Sequence, residues 1–369
     1  MNRLFRWDQM GLFLLALAAG ILPFAVPEVC AAALREGLTL CSGPLLLSLF
    51  PFLVVSRLLI QCPESDLLAL PFRLAAWGIG IRTPCAARVL CIGFLGGFAP
   101  AASAAAQAVR TGQLTAEEAD ALLPACICSG PSFVVLTVGQ SLLGSAELGV
   151  LLFASQITAN YLTAALLNRF AGVRSVKPGS AAPASPAPPR LDEILADAAI
   201  TYCKLCGFIL FFRLLAAGAG ALLPTGAGTL CAILLEVCSG CDLASRTGRW
   251  GSLLCCAALS VQGLSVLLQV RTICPAEMTL RPLYRSRLLH LPLSLALFYL
   301  LLPGGEADVF STLPARVLLM RRVPPDCALL VFAVCCMAAC TLRSGIRQVE
   351  QKQMARNAGG CCINSKTLL

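Results

Sequence analysis

Apolar residues fall along this chain in long blocks separated by short polar stretches. The blocks run Met10–Val26, Leu38–Ile60 with Pro51 inside, Ala86–Val109, Ala116–Cys128, Ser132–Leu143, Leu148–Leu167, Leu191 to about Leu223, Gly228–Val237, Gly251–Val270, Leu283–Leu302 and Asp326–Leu342. An α-helix crosses a bilayer with roughly 17–25 mostly apolar residues, and many of these blocks have that length. A semi-polar stretch, Leu67–Ile81, reads as a helix lying at the membrane interface. The pattern predicts an all-α, polytopic integral membrane protein that contacts the lipid bilayer.

Two segments stand apart. Residues 171–190 gather Pro178, Pro183, Pro186, Pro188 and Pro189 among Ala, Ser and Gly, the composition of a linker that cannot bury a core. The tail 343–369 is polar and basic, with Arg343, Arg347, Lys352, Arg356 and Lys366, and is expected on the cytoplasmic side. The chain then divides into an N-terminal membrane helix (1–35), a first repeat (36–170), the linker (171–190), a second repeat (191–303), a C-terminal membrane helix (304–342) and the tail (343–369).

Composition agrees. Of 369 residues, 58% are hydrophobic and 13% charged, whereas soluble domains carry about 25% charged residues. The net charge of +9 comes mostly from residues between the apolar blocks, which is the habit of membrane loops. No basic face of a soluble domain is present to bind nucleic acid. Arg3 and Arg6 before Met10–Val26 resemble a signal peptide. With no small-x-small site soon after and many spans to follow, a first membrane helix is the better reading. The 21 cysteines are scattered through apolar blocks and behave as small hydrophobes. Cys203-x-x-Cys206 and Cys238-x-x-Cys241 have metal-like spacing, but His290 is the single histidine, and packing is the simpler account. No metal and no cofactor is expected.

The blocks flanking the linker echo each other. Phe52–Leu59, with Arg57, is answered by Ile209–Leu215, with Arg213. Ile92–Phe98 is answered by Ile233–Ser239, and Ser129–Leu136 by Gln262–Leu268. Gly- or Pro-interrupted segments at matching places in two halves mark a transporter site near the bilayer midplane. Non-helical backbone at that depth is tolerated only where protein or a water-filled cavity satisfies it. Breaks are expected at Ser129-Gly130-Pro131-Ser132, at Cys238–Asp242 and at Gln262-Gly263.

These breaks supply the candidate site. A half-helix restarting at Pro131 would turn free N–H groups and a positive dipole end toward a cavity, and Gln262-Gly263-Leu264-Ser265 would do so from the other half. An ordinary proline kink gives the same sequence. Arg213 lies centrally in an apolar block, where a charge costs at least ~2.5–3.5 kcal/mol. It either pairs structurally or clamps a carboxylate bidentately; Arg57, nearer a helix end, can snorkel. Glu236 and Asp242 are candidates for binding a coupling cation or relaying protons. The alternative is ion pairing, Glu236 with Arg213 or Asp242 with Arg246. Gln107, Gln140, Gln156, Asn160 and Gln269 line a pore or join helices. No catalytic residue is assigned: Gly139-Gln140-Ser141-Leu142-Leu143 is not a nucleophile elbow, and Gly93-x-x-Gly96 lacks a dinucleotide-binding context.

At these residues the chain resembles the YlbJ-type sporulation integral membrane proteins, which carry the nucleoside-recognition Gate domain. The likeness rests on Phe50–Ser56, Gly96-Gly97-Phe98, Gly112–Thr115 with Glu118-Ala119, Ser129-Gly130-Pro131, Leu235–Val237, Gly263–Val266 and Arg287–His290. It departs at Ile127-Cys128, where the family has a polar pair, and at Ala99-Pro100-Ala101. The resemblance implies two inverted Gate-like repeats with broken or re-entrant helices, as in concentrative nucleoside transporters. It also implies transport of a small carboxylate, dipicolinic acid, across the outer forespore membrane or cell membrane of a spore-forming bacterium. A small anionic substrate, proton or sodium coupling and a homo-oligomer are the partners it admits. A nucleoside carrier is the rival within the class; that reading predicts neutral polar groups at the breaks and has no need of Arg213. A structural or assembly protein of the sporulation membrane is the rival outside it.

Overall fold

The computed structural model describes residues 2–61, 63–172 and 191–302. The expected helix Asp326–Leu342, the basic tail and nearly all of the linker lie outside them. Helix α1 (Asn2–Ala25) stops where Pro27 removes an N–H and disfavours helix at Val26; α2 (Pro27–Ser42) leaves at 113° to it. Gly43-Pro44 repeats the device and starts α3 (Pro44–Gln61). The block Leu38–Ile60, expected as one span, is therefore divided. A 3₁₀ turn (Pro63–Asp66) leads to α4 (Leu70–Gly78), a nine-residue helix that leaves Leu70, Leu74 and Trp77 exposed.

The block Ala86–Val109 is also not one span. Helices α5 (Pro84–Gly96) and α6 (Phe98–Arg110) fold back on each other at Gly97, so that a Cβ on Gly93 would lie 3.2 Å from that of Ala101. Helix α7 (Ala116–Cys126) opens with the expected capping box: Glu118 N–H donates to Thr115 Oγ1 at 3.1 Å, and Thr115 N–H to Glu118 Oε2 at 3.1 Å. It ends at Cys126, and the chain resumes as a π-helix, Ser132–Leu142. Helix α8 (Ala146–Ala171) starts under a Ser145 cap and ends at a left-handed Gly172.

After the linker comes α9 (Leu191–Leu222), close to its expected length. Helices α10 (Thr225–Leu235) and α11 (Val237–Ser245) again fold back, about Glu236; a Cβ on Gly240 would meet Ile233 Cα at 2.8 Å. The break expected over Cys238–Asp242 thus falls at Glu236, because the Glu236 carboxylate accepts from the N–H groups of Cys238 and Ser239 and starts a helix there. Helices α12 (Gly251–Val261) and α13 (Gly263–Ile273) are separated only by Gln262, whose φ is 65°. Helix α14 (Arg281–Leu301) closes the described chain.

The described residues are all-helical, with no strand among them. Three of their helical stretches are long and apolar enough to cross a membrane: 146–171, 191–222 and 248–273. The bent pair α1–α2 makes a fourth if taken as one span. Large apolar side chains such as Phe13, Phe24, Phe170 and Leu300 stay exposed, as suits a multi-pass protein whose outer surface meets lipid tails. Helices α3 and α9 pack antiparallel: Phe50 meets Tyr202 edge-on at 6.3 Å, while Arg57 reaches back to Asp197.

Candidate functional site

The four interruptions meet. Gly97 at the first hairpin tip has φ +81°, and a Cβ there would lie 2.7 Å from the Gly130 nitrogen in the break after α7. Gly263, with φ +68°, would set a Cβ 3.0 Å from the Glu236 nitrogen at the second hairpin tip. Each tip therefore abuts the broken helix of its own half, and only glycine fits both the backbone and the space. The breaks are joined to each other by Gln262 Nε2, which donates to Ser129 Oγ at 3.4 Å.

A cavity of about 60 Å³ lies at this junction. Its polar wall is Ser129, Ser132, Glu236 and Gln269; Phe52, Phe98 and Phe133 supply aromatic surface, and Leu45, Leu49 and Ile209 aliphatic surface. The space admits several waters.

The wall is rich in acceptors. Gln269 donates its amide nitrogen to Ser265 Oγ at 2.9 Å, while its amide oxygen is buried without a partner. Gln262 donates to Leu259 O at 2.6 Å, and its amide oxygen is likewise unpartnered. Buried acceptors in a folded protein are normally paired; two left over beside a cavity suit a ligand that brings donors. Gln262 also holds a left-handed backbone, a conformation that collects at functional junctions. The Glu236 carboxylate, 2% exposed, is already engaged: Oε1 accepts from Cys238 N–H at 2.8 Å, and Oε2 from Ser239 N–H at 2.7 Å and Ser239 Oγ at 2.8 Å. It fills the helix N-terminus that a substrate anion would use.

Behind the cavity sits a buried cation, Arg287, with no carboxylate partner among the described residues. Arg287 donates to Ser260 O in the last turn of α12 at 3.4 Å and to Asn160 Oδ1 at 3.1 Å; Asn160 in turn donates to Ile127 O at the end of α7 at 3.3 Å. The negative dipole end of α12 thus meets the guanidinium directly and that of α7 is linked to it through Asn160, surroundings that favour the charge. His290 Nε2 lies 3.2 Å from Gln156 O in the same polar layer, and Ser260 bonds Ser294.

The residues expected at the site divide clearly. Ser129, Gly130, Ser132 and Glu236 line the cavity; Pro131 starts the π-helix beside them; Gln262, Gly263 and Ser265 stand immediately behind. Arg213 does not enter: it pairs with Glu36 of α2 at 2.7 Å, one turn beyond Ile209 on α9. Its partner is Glu36 and not Glu236. Asp242 is also outside, paired with Arg246 at 2.8 Å near the surface. The three phenylalanines were not singled out as site residues from sequence, since an apolar aromatic in an apolar block carries no distinguishing signal. Among the described residues no group of three His, Cys, Asp or Glu gathers as for a metal ion. No protein-family model, no curated protein and no solved structure matches the chain.

Proposed function

We propose that the chain is a membrane transporter that carries a small solute through the cavity at the four helix breaks. The observation that carries this reading is the convergence of two hairpin tips and two broken helices on one acceptor-lined space. Such backbone is tolerated at membrane depth only where protein or a water-filled cavity satisfies it, and here it borders a cavity. The reading includes two inverted repeats. Each half orders a long helix, a hairpin of half-helices, a broken helix and another long helix, and the two leading helices, α3 and α9, run antiparallel. The resemblance to YlbJ-type proteins adds a setting, the outer forespore membrane or cell membrane of a spore-forming bacterium.

The cavity favours an uncharged, flat solute with hydrogen-bond donors, the nucleoside class. Neutral serines and glutamines surround the breaks, three phenylalanines offer ring faces, and no cation among the described residues lines the wall. A dicarboxylate such as dipicolinate would face the Glu236 carboxylate there. The dicarboxylate reading draws its support from a different place, a basic cavity farther along the same helices. Proton or sodium coupling belongs to either reading.

Uptake of labelled uridine and of labelled dipicolinate into vesicles containing the purified protein separates them. Saturable uridine uptake, inhibited by unlabelled nucleosides and without uptake of dipicolinate, is expected. Dipicolinate uptake untouched by uridine would replace the nucleoside class with the dicarboxylate. No uptake of either by correctly inserted protein would favour an assembly role.

A further inference from the structure

A second cavity, of about 170 Å³ against about 60 Å³ for the first, lies between α3, α6, α9 and α13. The same four helices wall the central cavity. On each, the second set of lining residues is displaced along the axis: Phe52 to Arg57 on α3, Phe98 to Ser103 and Ala106 on α6, Ile209 back to Lys204 and Thr201 on α9, Gln269 to Thr272 on α13. At 1.5 Å per residue these steps are roughly 5–12 Å. Between the two lies an apolar layer of Leu53, Ala99 and Leu205, all 1% exposed or less. Leu49 and Phe98, packed on that layer, line the central cavity, and Leu205 and Ile273 line the second. The Thr272 hydroxyl, in the second wall, donates to the carbonyl of Gln269, in the first.

The second cavity has the opposite electrical character. Arg57, Arg110 and Lys204 face one carboxylate, Asp197. Asp197 is spent on Arg57. Arg57 also reaches Thr201 Oγ1 at 3.4 Å, and its Nε is buried without a partner. Among the described residues Arg110 donates to the Ile273 carbonyl alone, at 3.4 Å. Ser103, Thr201 and Thr272 add hydroxyls. Two cations beyond the ion pair, set with hydroxyl donors in a concave space, make a receptor for an oxyanion.

We propose that this basic cavity is a binding site for a small soluble oxyanion, a carboxylate or phosphate, standing at one mouth of the transport path and closed from the central cavity by Leu53, Ala99 and Leu205. The path rests on the transporter reading; the anion site stands without it. Binding of labelled dipicolinate to the full chain in phosphatidylcholine nanodiscs is the test. The wild type binds saturably, and the Arg110→Gln/Lys204→Gln double variant binds at least about tenfold more weakly, with a shallower dependence on salt. Lys204→Arg alone stays within about threefold of wild type. The Arg281→Gln/Arg285→Gln variant removes equal charge on α14 and stays within about twofold. The proposal is overturned by absence of saturable binding, by a double variant that binds like wild type, or by an equal loss from the α14 control. Binding lost in Gln269→Leu and kept in the double variant would move the anion to the central cavity and overturn it too. Binding that vanishes when phosphatidylglycerol replaces phosphatidylcholine would assign the site to a lipid phosphate and not to a soluble anion.

Discussion

Arg213 and Arg287 have exchanged the roles their surroundings suggest. Arg213 sits in an apolar block and invites a substrate, yet its guanidinium goes to Glu36, a residue 177 positions away that is 65% exposed. No local pattern announces that pairing. A pair with one exposed partner contributes about 0–1 kcal/mol. Arg213→Gln is therefore expected to leave the KM for the transported solute within about twofold, as read by uptake kinetics; a tenfold rise would return Arg213 to the site. Arg287 carries no signal of its own in the sequence beyond the family likeness, yet its guanidinium meets the end of α12 directly and the end of α7 through Asn160. Arg287→Met removes that charge and strips Asn160 of a donor, a loss of about 1–3 kcal/mol for the orphaned group alone. Its thermal unfolding midpoint should fall clearly below that of Arg287→Lys, which keeps the charge. Equal midpoints would deny the dipole account. Ser129, Gly130 and Gln262-Gly263 were legible because Gly and Pro interrupt apolar sequence in few other ways. The aromatic lining and the idle amide oxygens of Gln262 and Gln269 needed coordinates.

Among the elements, helix starts were readable and changes of direction were less so. Thr115 and Glu118 spell a capping box, and the helix begins there. Hydropathy alone does not tell a hairpin from a span: Ala86–Val109 is long enough to cross a bilayer but turns at Gly97. What decides is that the tip must touch Gly130, a contact between residues 33 positions apart that hydropathy does not register. Gly97→Ala meets two penalties, a left-handed φ of +81° and a methyl group 2.7 Å from backbone nitrogen. Gly112→Ala, at φ +70° with nothing within 4 Å, meets one. The positive φ costs at least about 1–2 kcal/mol in each, and the extended ψ of −163° at Gly97 is a region essentially reserved to glycine. Gly97→Ala should therefore unfold at a lower temperature than Gly112→Ala and lose uptake that Gly112→Ala keeps. Indistinguishable variants would mean that the tip does not press on the break. The sequence pairing of Ile92–Phe98 with Ile233–Ser239 and the two turns, at Gly97 and Glu236, differ in register by two residues.

At the scale of the molecule, the inverted-repeat reading makes a claim about sidedness. On that reading the turn between α6 and α7, at Gly112, corresponds to the one between α11 and α12, at Gly248. Inversion puts them on opposite faces of the membrane, so phosphatase fusions after Gly112 and after Gly248 should differ, one active and one silent. Two fusions that behave alike would refute inversion and leave the cavity standing. The cavity itself is the account's centre, and Gln269 is its most telling residue. Its amide oxygen is buried and unused, and loss of that acceptor exposes no new charge. The most direct measurement is therefore labelled uridine uptake by Gln269→Leu beside wild type, in vesicles matched for inserted protein. The account predicts a KM raised about tenfold or more, the worth of roughly one buried hydrogen bond to the solute at 1.4 kcal/mol per factor of ten. Uptake by Gln269→Leu with an unchanged KM would place the transported solute elsewhere and contradict it.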